Sequence, residues 1–230
     1  MVNYSNIETL MQEVLKRTFQ IVQYAYDNHW EDRKNNTTEL SKEDSRTLLV
    51  IPQYGEDREN NKEENQVSEQ LLRFAFVQAF HEYVRYNGCK FFYAAEVPTI
   101  KACGEQEKRS GDYDLVIYDA KLKRICLIEL KEGNGVQKET EKDFIKLTKK
   151  EEGDENVQRY FIQLLESSND NTINNINDKL SNVKTSLCNK PNHCMPVHYY
   201  CYSLQHGSYN NPKVWKMTFQ CNMAECKLIE

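Results

Sequence analysis

Two short apolar runs, DYDLVIYD at 112–119 and ICLIELK at 125–131, stand five residues apart, and both carry charge where a buried strand ordinarily has none. A connection that short joins neighbouring antiparallel strands in a hairpin. Side chains alternate along a strand, so Asp112, Asp114, Val116 and Tyr118 are expected on one face of the first. Ile125, Leu127, Glu129 and Lys131 share one face of the second. With those faces aligned, Asp114, Glu129 and Lys131 converge near one end of the sheet. Charges so close to a core need a reason.

The segments around the hairpin supply an α/β context. At 230 residues the chain buries one core and is short for two. Ile7, Leu10, Met11, Val14, Ile21, Val22 and Ala25 recur at helical spacing, which predicts an amphipathic N-terminal helix. Glu8, Glu13, Lys16 and Arg17 interrupt any signal-peptide core, and no stretch approaches the roughly 20 apolar residues of a membrane span. A cytoplasmic protein with reduced thiols is therefore expected despite eight cysteines.

Residues 31–65 are polar and read as solvated loops, around the apolar run 48–51, which fits an edge strand or a buried anchor equally. A strong helix is predicted over 67–86, then a strand over 90–97 that Pro98 stops, then the hairpin. A helix follows from Lys138 with Phe144, Ile145 and Leu147 as its buried side, and a second helical piece is read at 157–165. The Asn-rich stretch 167–177 reads as a loop or a poor helix, and 197–204 and 214–219 as closing strands. The expected organisation is an N-terminal helix with polar loops over 1–66, packed on a core domain over 67–230.

Two ionised carboxylates about 4 Å apart repel by roughly 4 kcal/mol at an effective dielectric of about 20. A cation between them removes that cost. Magnesium suits the role, with manganese able to substitute, because it takes one or two carboxylates, waters and phosphate oxygens. Asp114 and Glu129 are then metal ligands, while Lys131 orients or deprotonates a water or neutralises charge on a reacting phosphoryl group. On this reading Asp114→Asn relieves repulsion and stabilises the metal-free protein. Glu69 precedes Phe76 and Phe80 by seven and eleven residues and so lies at the edge of its helix's apolar face, looking inward.

The stretch GDYDLVIYD, a fourteen-residue gap after Asp114, and then ELK resembles the PD-(D/E)XK nuclease superfamily. Its pattern is an acid entering the second core strand and acid-x-lysine on the third; many members add a glutamate on the preceding helix, as at Glu69. The resemblance covers residues 67–202 by element order and four residues by motif. It implies a restriction-endonuclease-like αβββαβ core with a mixed central sheet flanked by helices. It further implies a magnesium-dependent nuclease acting on DNA in restriction, defence or repair, with RNA as another substrate of the same chemistry. Many relatives act as homodimers so that both strands are cut. The proline of the family name is absent, Asp112 competes with Asp114, and the QxxxY element of one branch does not appear where the following helix should supply it.

Net charge is −5, so phosphate contacts must come from local clusters. Lys121, Lys123 and Arg124 form one, Lys101, Lys108 and Arg109 another, and Lys138, Lys142, Lys146 and Lys149 a helical stripe. Interleaved Glu139, Glu141 and Asp143 make an ordinary charged helix face the plainer account of that stripe. For Glu129 and Lys131 the plain account is a solvated surface pair worth under about 1 kcal/mol. Cys188, His193, Cys194, His198, Cys201, Cys221 and Cys226 lack the paired C-x2-C spacing of structural zinc sites, and no cysteine stands out as a nucleophile. The competing functional class is a catalytically silent nucleic-acid-binding or scaffolding module.

Overall fold

The computed structural model describes residues 5–35, 49, 51, 53–54, 64–65, 67–100, 111–153, 155–166, 168–187, 192–193, 195–204 and 213–219, with 5–6, 27–35, 53–54 and 64–65 described by backbone alone. In chain order the elements are α1 (Ser5–Asn35), β1 (Gln53–Tyr54), β2 (Glu64–Asn65), α2 (Glu69–Asn87), β3 (Phe92–Pro98), β4 (Asp112–Tyr118), β5 (Arg124–Glu132), α3 (Gln137–Thr148), β6 (Gln158–Leu165), α4 (Asp170–Leu187), β7 (Val197–Ser203) and β8 (Lys213–Phe219). A single 3-10 turn, Lys150–Glu152, follows α3. β1 and β2 pair as a small antiparallel ribbon, inside the stretch read as loop. The other six strands form one mixed sheet in chain order. β3, β4 and β5 are antiparallel, β5, β6 and β7 are parallel, and β8 returns antiparallel.

α2 shows why its boundaries were readable. The Ser68 hydroxyl accepts the Leu71 N–H at 3.2 Å, and Gly88 closes the helix in the left-handed conformation at φ 61°. The segment 157–165 corrects the sequence expectation, because it is strand β6 rather than a helix. Its side chains are buried almost without interruption, Arg159 and Gln163 included, and its mixed apolar pattern suits a strand buried on both faces as well as a buried helix. Position between two parallel neighbours decides for the strand. Of the two readings of the Asn-rich segment, loop or poor helix, the helical one holds: it opens α4, which buries Ile176, Leu180, Val183 and Leu187 at helical spacing. Asn169 starts it by accepting the Thr172 N–H at 2.9 Å.

Two apolar cores sandwich the sheet. α1 and α2 cover one face with Leu10, Val14, Phe76 and Phe80 against Leu115, Ile128, Ile162 and Tyr202. α3 and α4 cover the other with Phe144, Leu147 and Leu180 against Val116, Leu127, Phe161 and Tyr199. α1 shares the first core with the sheet, and Phe19 stacks on Tyr202 with ring centroids 4.5 Å apart. Ile51 is buried in the same core outside any strand, so the apolar run anchors there. No helix among the described residues is long and apolar enough to cross a membrane.

Phe144 is wholly buried and holds α3 to the sheet through Phe161 and Phe219, at 4.9 and 4.8 Å between centroids. Phe144→Ala is expected to cost about 3–5 kcal/mol of folding free energy. Urea denaturation followed by circular dichroism measures it, and a loss under 1 kcal/mol would mean α3 does not depend on this contact.

Candidate active site

β4 and β5 pair only as far as Leu115↔Ile128. Beyond that point each strand continues with its other neighbour, β4 to Asp112 against β3 and β5 to Glu132 against β6. The carboxylate of Asp114 fills the opening. Its Oδ2 accepts the Leu130 N–H at 2.7 Å, replacing a lost ladder bond, and its Oδ1 accepts from Arg73 Nη2 of α2 at 2.7 Å. Arg73 Nη1 also reaches Glu96 Oε1 at 3.1 Å. Glu96 sits between two regular β3–β4 pairs with φ 52°, a left-handed conformation rare outside glycine.

The expected alternation along β4 breaks at this parting. Tyr113 packs with Val116 in the α3-side core, although three residues separate them, and its hydroxyl donates to the Lys146 carbonyl at 3.1 Å. Asp114 is therefore turned into the gap between the strands and toward α2, rather than lying on one face with Asp112 and Val116.

Glu129 and Lys131 lie on the α3 side as expected. Lys146 of α3 places Nζ 2.7 Å from Glu129 Oε1, 3.2 Å from Asp143 Oδ1 and 3.0 Å from the Asp112 carbonyl. Lys131 pairs with Glu139 at 3.1 Å. Two glycines make room for these stems. A Cβ on Gly111 would come within 2.9 Å of Lys146 Cδ, and one on Gly135 within 2.8 Å of Lys131 Cε.

Burial pushes the Glu129 carboxyl well up, against the pull of Lys146 and with the help of Asp143 and Asp114. Burial also raises Asp143 against Lys146 and Lys131. In Lys146, burial acts downward, but the carboxylates of Glu129 and Asp143 outweigh it and hold the ammonium above its ordinary range. Glu69, in the first turn of α2, is raised by burial and then by Asp114, while Lys131 and Arg73 pull it down. It thus belongs to the same electrostatic neighbourhood.

Asp114, Glu129, Lys131 and Glu69 therefore share one electrostatic neighbourhood, each direct ion pair being made with another residue: Asp114 with Arg73, Glu129 with Lys146, Lys131 with Glu139. Sequence reading missed Arg73, Glu139, Asp143 and Lys146. A signal existed for Asp143, which lies one turn from the buried Thr140 and Leu147. Lys146, read as part of a solvated stripe, is 5% exposed, whereas Lys138 and Lys142 are exposed neighbours of Glu139 and Asp143. Lys121 and Lys123 are exposed on the hairpin turn organised by Asp119, which accepts both their N–H groups. That turn is at the far end of the strands, roughly 20 Å from the cluster at about 3.3 Å per residue. Arg124 is engaged internally, donating to the Pro98 carbonyl at 3.0 Å and facing Glu152 at 3.7 Å. Lys101, Lys108 and Arg109 lie outside the described residues, as do Cys188, Cys194, Cys221 and Cys226; Cys201 is buried in β7 as expected.

Among the described residues, no three His, Cys, Asp or Glu side chains are drawn together as a ready metal cage. The donor chemistry nevertheless suits a hard divalent cation. Apart from the exposed Glu96, five carboxylates (Glu69, Asp114, Glu129, Glu139, Asp143) face three cations (Arg73, Lys131, Lys146). Glu129 Oε1 is buried beside an ammonium yet receives no directed hydrogen bond. Arg73 and Lys146 hold the oxygens that an ion would take.

Because Asp114 bonds to Arg73 and Leu130, the structure reverses the expected sign of Asp114→Asn. The substitution should destabilise the metal-free protein by about 1.5–3 kcal/mol, the usual value of hydrogen bonds to a charged group. A chemical melt showing stabilisation would restore the repulsion argument. A second expectation concerns pH. A carboxyl raised in the folded state adds stability below its unfolded value, near pH 4.5, and that contribution is lost as pH rises through the folded value. Glu129→Gln lacks this dependence, so the stability of the variant relative to wild type should increase as pH rises above about 4.5. A constant difference between pH 4 and 9 would show that Lys146 fully offsets burial. In comparisons with family models, curated proteins and solved structures, nothing matches this chain.

Proposed function

We propose that this chain is a metal-dependent nuclease with a restriction-endonuclease-like core, hydrolysing phosphodiester bonds of DNA. The observation that carries the reading is that β4 and β5 part beyond Leu115↔Ile128 beside Asp114, with the buried Glu129 on β5 and with Lys131 and Glu69 in the same electrostatic neighbourhood. The order α2, three antiparallel strands, α3 and a strand parallel to the third supports the core assignment. Asp114 and Glu129 supply hard oxygen ligands, and Glu69 adds a third carboxylate from a helix N-terminus. Magnesium or manganese, if held by Asp114, Glu129 and Glu69, would supply a more acidic water and charge neutralisation for the phosphoryl group. Lys131, paired with Glu139, carries its charge into the site; it donates to the water or to the developing phosphorane oxygens. The exposed Lys138 and Lys142 border the cluster and suit contacts to a phosphate backbone. Lys121 and Lys123 reach only phosphates farther along a duplex.

A silent nucleic-acid-binding module is favoured by one observation: Arg73 and Lys146 already neutralise the two central acids. Cleavage of plasmid, linear duplex, single-stranded DNA and RNA in magnesium or manganese separates the readings. Wild type should cut DNA, and Lys131→Ala should cut at least about 100-fold more slowly. No cleavage of any substrate by wild type supports the module, and equal cleavage by both proteins removes Lys131 from the mechanism.

A further inference from the structure

Lys146 has the surroundings of a bound cation. Its stem enters beside Gly111, where any Cβ would obstruct it, and its ammonium ends among three oxygens of different elements. These are Glu129 Oε1 on the central strand, Asp143 Oδ1 one turn earlier on α3, and the Asp112 carbonyl at the start of β4, all within 3.2 Å. The side chain is almost wholly buried, so this charge does not serve the surface. Lys131, the lysine of the motif, points instead to Glu139.

We infer that Lys146 is a tethered counter-ion that occupies the divalent-cation position in the resting protein and must swing away for the metal to load. The inference rests on the metal-site reading above and adds a residue that controls loading. A magnesium ion takes carboxylate oxygens at about 2.0–2.1 Å. An ammonium 2.7 Å from the same Glu129 oxygen cannot stay beside it. The exchange is feasible because four rotatable bonds carry the ammonium, and its other two partners, Asp143 and the Asp112 carbonyl, lie outside the pair Asp114–Glu129. In the metal-bound protein the displaced ammonium remains at the rim and keeps the metal-free acids from repelling one another each time the ion leaves. Such a protein binds its metal weakly and stays folded without it.

Manganese binding to the full chain, measured by isothermal titration calorimetry, tests this. Lys146→Met removes the competitor and should bind manganese at least tenfold more tightly than wild type. Gly111→Ala leaves the lysine in place chemically but crowds its stem, and should bind at least threefold more tightly. It decides the matter if Lys146→Met does not fold by circular dichroism. Equal or weaker affinity in the folded variants overturns the counter-ion role while the metal site stands. Absence of binding by wild type and both variants overturns the metal site and this inference together.

Discussion

Placing Glu129 on the middle of a six-stranded sheet, with helices over both faces, removes its carboxylate from water and obliges the protein to answer the charge internally. Most of the local architecture follows from that obligation. Lys146 supplies the answering charge from α3, along a path that a Cβ on residue 111 would crowd at 2.9 Å from Cδ. Asp143 then balances Lys146, and Asp114 brings its own partner, Arg73, from the opposite helical layer. Two helices on different faces of the sheet are thereby linked through one polar cluster at one end of two strands.

The parting of β4 and β5 makes this arrangement accessible. If the ladder continued past Leu115↔Ile128, the Leu130 N–H would be satisfied by backbone and Asp114 would lie on a regular face. Instead the strands separate, the Asp114 carboxylate takes the orphaned donor, and the left-handed Glu96 opposite it absorbs the bend. The start of β4 packs against α3, as the bond from the Tyr113 hydroxyl to the Lys146 carbonyl shows. A polar cluster sits within an otherwise apolar sandwich because hydrogen bonding there is local and irregular.

The cluster holds more acids than bases, yet each central acid has a cation beside it. This explains how a protein can keep several carboxylates together without an ion and remain folded. At the proposed metal site a divalent cation would therefore exchange with charges already present rather than fill an empty cage, and its affinity would reflect the difference between two buried, internally neutralised arrangements.

The amino-acid sequence by itself determined the hairpin, the helix with Glu69, the N-terminal amphipathic helix, and the presence of Asp114, Glu129 and Lys131 at strand positions near each other. Those features rest on local rules: alternation, helical spacing and a five-residue connection. Only the tertiary structure decided that 157–165 is a strand, since a short apolar stretch broken by Arg159 and Gln163 fits either element until its neighbours are in place. It also decided which lysine is buried. Lys138, Lys142 and Lys146 recur at the same helical interval, and nothing in that spacing tells which one meets a carboxylate 17 residues earlier across the sheet. Periodicity reports which residues share a face; which of them lies in water and which beside a charge depends on contacts between distant segments.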